Sequence, residues 1–134
     1  MSLLTREEVA HYIAIVDGLP PVEQAKIRQL LEYDRVERCR ESYISFVTNM
    51  WPGFISGKHH SIMANAFERV ANGTLKRLII NMPPRHTKSE FASYLLPAWF
   101  LGRFPDKKII QTAHTAELAV GFGRKVRNLV QSEQ

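Results

Sequence analysis

The sequence predicts an α/β domain in which parallel strands carry flanking helices, preceded by an α-helical segment. Three observations lead there. Leu78-Ile79-Ile80 is a short apolar, β-branched run of the kind that suits a strand covered on both faces. Pro83-Pro84 ends it, because proline offers no ladder donor, and Lys88-Ser89 then opens a helical pattern. A second run centred on Ile109-Ile110 follows after about 35 residues, the length of one right-handed strand-helix-strand crossover.

In chain order, Thr5 and Glu8 have capping-box spacing, and Val9, Tyr12, Ile13 and Val16 form an apolar stripe at helical period. Gly18 and Pro20-Pro21 close that helix. A second helix starts near Pro21 or Val22, with Glu23 favourable to its dipole, and runs toward Tyr43 or Phe46. Its middle, EYDRVERCRES, mixes both signs of charge, which fits a solvated face; a short partner-binding hairpin over 5–40 is the sharper alternative. Trp51-Pro52-Gly53-Phe54 breaks the helical pattern and supplies two core aromatics. A helix over 58–71 places Ile62, Ala66 and Val70 on one face, beside Phe67, and Asn72-Gly73 stops it. His59 and His60 are adjacent and lack the i,i+4 spacing of a zinc pair. After the strand at 76–81, a helix from Ser89 is interrupted at Pro97 and closes near Gly102. The strand at 107–112 precedes a last helix capped by Thr115, with Leu118, Phe122, Val126 and Leu129 or Val130 inward. The domains are thus 1–50, helical, and 51–134, the α/β part.

Strand, loop, Lys-Ser and helix make up a phosphate-binding loop. A helix start presents unpaired N–H groups and a positive dipole end to an anion. Lys88 would reach the β- and γ-phosphates, and Ser89 would place its hydroxyl on Mg²⁺. The G-x-x-x-x-G-K-[ST] pattern aligned on Lys88 puts Met82 and Thr87 at the glycine positions. The plain alternative is a solvated helix start.

The wider string, KRLIINMPPRHTKSEFASYLLPAWFLGRFPDKKIIQTAHTAELAVGFGRKVRNLV, resembles the ATPase domain of the large terminase subunit of tailed phages. The resemblance covers roughly 40–131 and is specific from Lys76. It implies a P-loop NTPase fold of the ASCE type and an ATP-driven motor, a hydrolase that moves double-stranded DNA into a procapsid during virion assembly. It also implies Mg²⁺ as cofactor, portal protein and small terminase subunit as partners, and a homo-oligomer on the procapsid. Carried over, Met82, Pro83, Pro84, Arg85, His86, Thr87, Lys88 and Ser89 bind the nucleotide. Arg85 senses or stabilises the γ-phosphate, as a guanidinium can do bidentately. Residues 51–60 would border the adenine. Arg124, Lys125 and Arg127 would meet the DNA backbone, against the alternative of a solvated helix end. The family's variant motif reads MPPRHGKSE, so Met82 is usual there and Thr87 replaces glycine. A β-branched residue resists φ > 0, and Thr87 strains or reshapes the loop if that geometry is needed.

The 134 residues are 45% hydrophobic and 23% charged, enough for one domain with a core. The net charge of +5 is compatible with nucleic acid. Cys39 is the only cysteine, which excludes an internal disulfide or a thiolate metal cluster. No apolar run reaches membrane-spanning length, and MSLLTREEVAHY lacks signal-peptide order, so a cytoplasmic protein is expected. No apolar run ending in Asp-Glu follows Thr112, and the family's acidic nuclease cluster is missing. Expected, then, is part of a longer protein or a truncated product that binds ATP without efficient hydrolysis and without cutting DNA. Two rivals stand beside it: a helicase-like DNA-dependent ATPase fragment, and a non-catalytic module that binds partners through its helices over 5–48.

Overall fold

A computed structural model describes residues 3–132. Among them are six α-helices and no strand. The helices are α1 (Arg6–Ile15), α2 (Pro21–Glu41), α3 (Tyr43–Met50), α4 (Lys58–Ala71), α5 (Leu96–Arg103) and α6 (Ala116–Gln131). A 3-10 turn, Val16–Gly18, follows α1, and a π-helical turn, Glu90–Leu95, leads into α5. The chain divides into two compact units, Met1–Glu41 and Ser42–Gln134.

The expected α/β class, with its parallel strands, P-loop NTPase sheet and strand-helix-strand crossover, is overturned. Residues 76–81 and 107–112 have no regular secondary structure and join no ladder among the described residues. Ile79 is 86% exposed and Ile110 90% exposed, the reverse of strands covered on both faces. β-branched propensity favours an extended backbone, but a ladder also needs a neighbour's N–H and C=O groups, which local sequence cannot provide. The fold is all-α.

The first unit is a helical hairpin. The Thr5 capping box forms as expected: Glu8 N–H donates to Thr5 Oγ1 at 3.2 Å, and Thr5 N–H donates to Glu8 Oε2 at 2.6 Å. Val16 is buried, while Ile13 of the expected stripe is 59% exposed. The polar anchor is Asp34, buried on α2. It accepts Leu4 N–H at 2.7 Å and Arg38 Nε at 2.6 Å, while Arg38 also donates to the Leu4 carbonyl. The two side chains thus hold both backbone groups of Leu4, fixing the entry to α1. α2 ends at Glu41 rather than continuing to Tyr43 or Phe46. Ser42 turns extended (φ −119°, ψ 120°), and its hydroxyl caps α3 by accepting Ser45 N–H.

The second unit is built on Tyr43, which is fully buried with Val47 and Phe91. Around them pack Met63, Ala64 and Phe67 of α4, then Leu95 and Trp99. On α4 the buried stripe is His60, Met63, Ala64 and Phe67, at i, i+3, i+4 and i+7. The expected face through Ile62 and Val70 is one position off; both of those are exposed. Trp51 and Phe54 pack against this core as expected. The interruption at Pro97 is local. An α-helix would give the Ser93 carbonyl the N–H of residue 97, which proline lacks. The chain widens to a π turn just before it, and Gln111 Nε2 donates to Ser93 O at 2.9 Å. Thr115 caps α6 as expected, with Val126 buried there and Leu118 and Val130 exposed.

The Arg38 guanidinium beside it holds the Asp34 carboxyl below its usual value, against the opposing effect of burial. A depressed carboxyl pKa stabilises above the usual value of 3.8 and loses that contribution as pH falls through the lowered one. Asp34→Ala should destabilise the first unit by about 1–3 kcal/mol at neutral pH, because Arg38 and Leu4 N–H lose their partner. Urea denaturation followed by helix circular dichroism measures this, and the gap between variant and parent should close only in strong acid.

Candidate functional site

Residues 82–89 form a loop that ends on the helix running through the π turn into α5. Its shape is set by two non-glycine residues in the left-handed region, Arg85 at φ 64° and Thr87 at φ 58°. The geometry that glycine would supply at 87 is therefore present, on a β-branched residue, at a penalty of about 1–2 kcal/mol. Thr87 is also where the helix begins, since its carbonyl accepts Phe91 N–H at 2.9 Å. The N–H groups of residues 87–90 are then the unpaired donors of a helix start, and none of them donates to another described residue.

A relay of hydrogen bonds holds Thr87. Gly57 N–H donates to His60 Nδ1 at 3.0 Å, which fixes the proton of the ring on Nε2. His60 Nε2 lies 2.7 Å from Thr87 Oγ1, and Thr87 in turn donates its hydroxyl proton to the His86 carbonyl at 2.7 Å. The four groups form one consistent donor-to-acceptor sequence. His60 is 5% exposed, between the rings of Phe54 at 4.8 Å and Phe91 at 5.3 Å. Burial, and secondarily His59, lowers its pKa, so it is neutral at physiological pH. Gly57 lets this corner close up: a Cβ there would meet the His59 ring at 3.0 Å. His86 folds onto the loop itself, its Nδ1 donating to the Pro84 carbonyl at 2.9 Å.

Lys88 is half-buried and makes a long contact of 3.5 Å from Nζ to the Met82 carbonyl, so its ammonium curls over the loop. Ser89 is exposed, with no hydrogen bond from its hydroxyl among the described residues. Arg85 is exposed, without an ion pair among the described residues, and Pro83 and Pro84 are exposed before it. Beside the loop lies a groove of about 450 Å³ whose walls include Phe67, Leu78, Ile80 and Leu96, with Lys88 and Ser89 at its polar edge. The predicted site residues from Met82 to Ser89 thus cluster by virtue of sequence adjacency and helix start. Arg85, Lys88 and the unpaired N–H groups supply positive potential, and a hydroxyl stands next to them, which suits a phosphate with a divalent cation.

The basic residues of α6 are not equivalent. Lys125 pairs with Glu90 at 3.0 Å and lies over the Tyr94 and Phe122 rings. Arg124 and Arg127 are exposed, without an ion pair among the described residues. A second, larger groove of about 720 Å³ runs along this helix past Glu90, His114, Glu117 and Lys125. What sequence reasoning missed is the bond from His60 to the loop; only its burial had a signal, since it falls on the same helical stripe as Met63 and Phe67.

Comparison of the chain with protein-family models, with curated proteins and with solved structures finds no match. Among the described residues no helix is long and apolar enough to cross a membrane.

Substitutions at Thr87 separate strain from bonding. Thr87→Val keeps the β-branch and leaves the buried His60 Nε2–H unpaired, and should destabilise the second unit by about 1–2 kcal/mol. Thr87→Gly loses the same bond but relieves the left-handed penalty, so its net effect should be near zero. Urea midpoints of the two variants should therefore differ, with glycine the more stable.

Proposed function

We propose that the 82–89 loop binds the phosphates of ATP with Mg²⁺, and that the protein is the ATP-binding part of a terminase-type viral DNA-packaging motor acting in the host cytoplasm. The observation that carries the nucleotide reading is the conjunction at Thr87: a left-handed residue ends the loop, opens the helix and leaves consecutive N–H groups unpaired beside Lys88. In this reading Lys88 supplies the charge that follows the β- and γ-phosphates, and Arg85, exposed on the loop, pairs with the γ-phosphate. The Ser89 hydroxyl offers one ligand to Mg²⁺, with phosphate oxygens and waters supplying the rest. Phe54 and Trp51 lie on the His60 side of the loop and could border the base.

The packaging reading draws on the resemblance from Lys76 onward. It places double-stranded DNA, the portal protein and the small terminase subunit among the partners, with several copies of the chain acting together on the procapsid. Arg124 and Arg127, exposed on α6, are the cations open to a DNA backbone; Lys125 would first have to leave Glu90. A helicase-like ATPase would use the same loop, and DNA translocation without a procapsid would favour it. The partner-binding module, by contrast, requires no nucleotide.

Calorimetric titration of Mg·ATP into the folded chain should give a binding heat that Lys88→Ala weakens by at least about tenfold, or about 1.4 kcal/mol. Equal binding by the variant, or none by a folded parent, would remove the nucleotide reading.

A further inference from the structure

We propose that His60 is a positioning residue that latches the 82–89 loop through Thr87, and that protonation of its ring releases the loop. The geometry is a two-sided bridge. On one side the ring accepts Gly57 N–H, and on the other it donates to Thr87 Oγ1, whose own proton goes to the His86 carbonyl. Only the neutral ring protonated on Nε2 satisfies both ends. An imidazolium carries a proton on Nδ1 as well, and that proton would face the Gly57 N–H, donor against donor. The ring is also seated between Phe54 and Phe91 and only 5% exposed, where a charge is poorly solvated. Protonation thus unseats the ring, and Thr87 loses the bond that offsets its left-handed backbone. A glycine at 87 would need no such support; a threonine does.

The titratable and charged groups on the packed elements are few. His59 on α4 lies with its ring 3.8 Å from that of His60 and lowers its pKa further once charged. His86 in the loop reaches His59, at 6.2 Å between rings, but is bonded to Pro84. Lys58 lies two residues before His60, Arg85 and Lys88 flank Thr87 in the chain, and Glu90 is engaged by Lys125. Tyr43 is bonded to the Phe91 carbonyl and stays neutral. No carboxylate among these faces the ring to hold its charge, so release occurs as pH falls below the ordinary imidazole value of 6.5. The latch is closed at neutral pH and opens in acid. It rests on the nucleotide reading only for what the loop then holds.

The test uses the full chain without nucleotide, so it stands apart from whether ATP binds. Long-range ¹⁵N–¹H spectra should show His60 as the Nε2–H tautomer at neutral pH. Amide exchange at Gly57, whose N–H donates to His60 Nδ1, and at Phe91, whose N–H donates to the Thr87 carbonyl, should, once corrected for the intrinsic rate, lose about tenfold in protection between about pH 7.5 and about pH 5. His60→Gln keeps an acceptor and a donor at similar spacing but cannot titrate, and its protection should stay flat over that range. Thr87→Val should be poorly protected at both ends. An Nδ1–H tautomer in the parent, flat protection in the parent, or a His60→Gln profile falling like the parent's would overturn the latch. The first two results need no variant to fold. If the latch holds and Mg·ATP also binds, affinity should follow the same pH profile in the parent and not in His60→Gln.

Discussion

The second unit depends on the burial of one phenol. Tyr43 has no solvent exposure, and its ring meets those of Phe67, Phe91 and Trp99 edge-on at 5.0–5.5 Å. Edge-to-face contacts of this kind add to the area buried, and three of them converge on one ring. The hydroxyl must then find a partner inside, and it donates to the Phe91 carbonyl. That carbonyl also accepts the N–H of Leu96, five residues on, because the helix there is π-wound. The widened turn forced by Pro97 therefore sits where the buried phenol needs an acceptor. Glu68 of α4 closes the other end by accepting Tyr43 N–H at 2.8 Å.

From this anchor the loop follows. Phe91 is fixed by Tyr43, and Phe91 N–H bonds the Thr87 carbonyl, so the helix start is placed by the core rather than by the loop. α4 packs on the same cluster and carries His60 to Thr87. The loop is thus held from two directions that share one core, which lets a strained residue persist at its end. A left-handed threonine is poor local chemistry made stable by its surroundings.

Much of the helical structure was legible in the sequence. The Thr5 box, Gly18, the Pro21 start, the 58–71 helix and the Thr115 cap all use local rules, and all form. The strands were not legible, because Leu78-Ile79-Ile80 and Ile109-Ile110 state a preference for extended backbone while pairing depends on distant groups. The face of α4 was misassigned for a related reason. His60 counts as polar by letter, yet Gly57 and Thr87 satisfy both ring nitrogens and make it a core residue. In the loop, the demand for φ > 0 at Thr87 could be anticipated from the motif; the histidine that answers it lies 27 positions away and could not.

The most direct measurement of the central claim is amide chemical-shift mapping of the folded chain as Mg·ATP is added. Binding at the helix start predicts the largest changes at residues 85–90, with smaller ones at Gly57 and His60 through the relay. Changes centred instead on the α6 groove around His114, Glu117 and Lys125, with residues 85–90 unmoved, would contradict it.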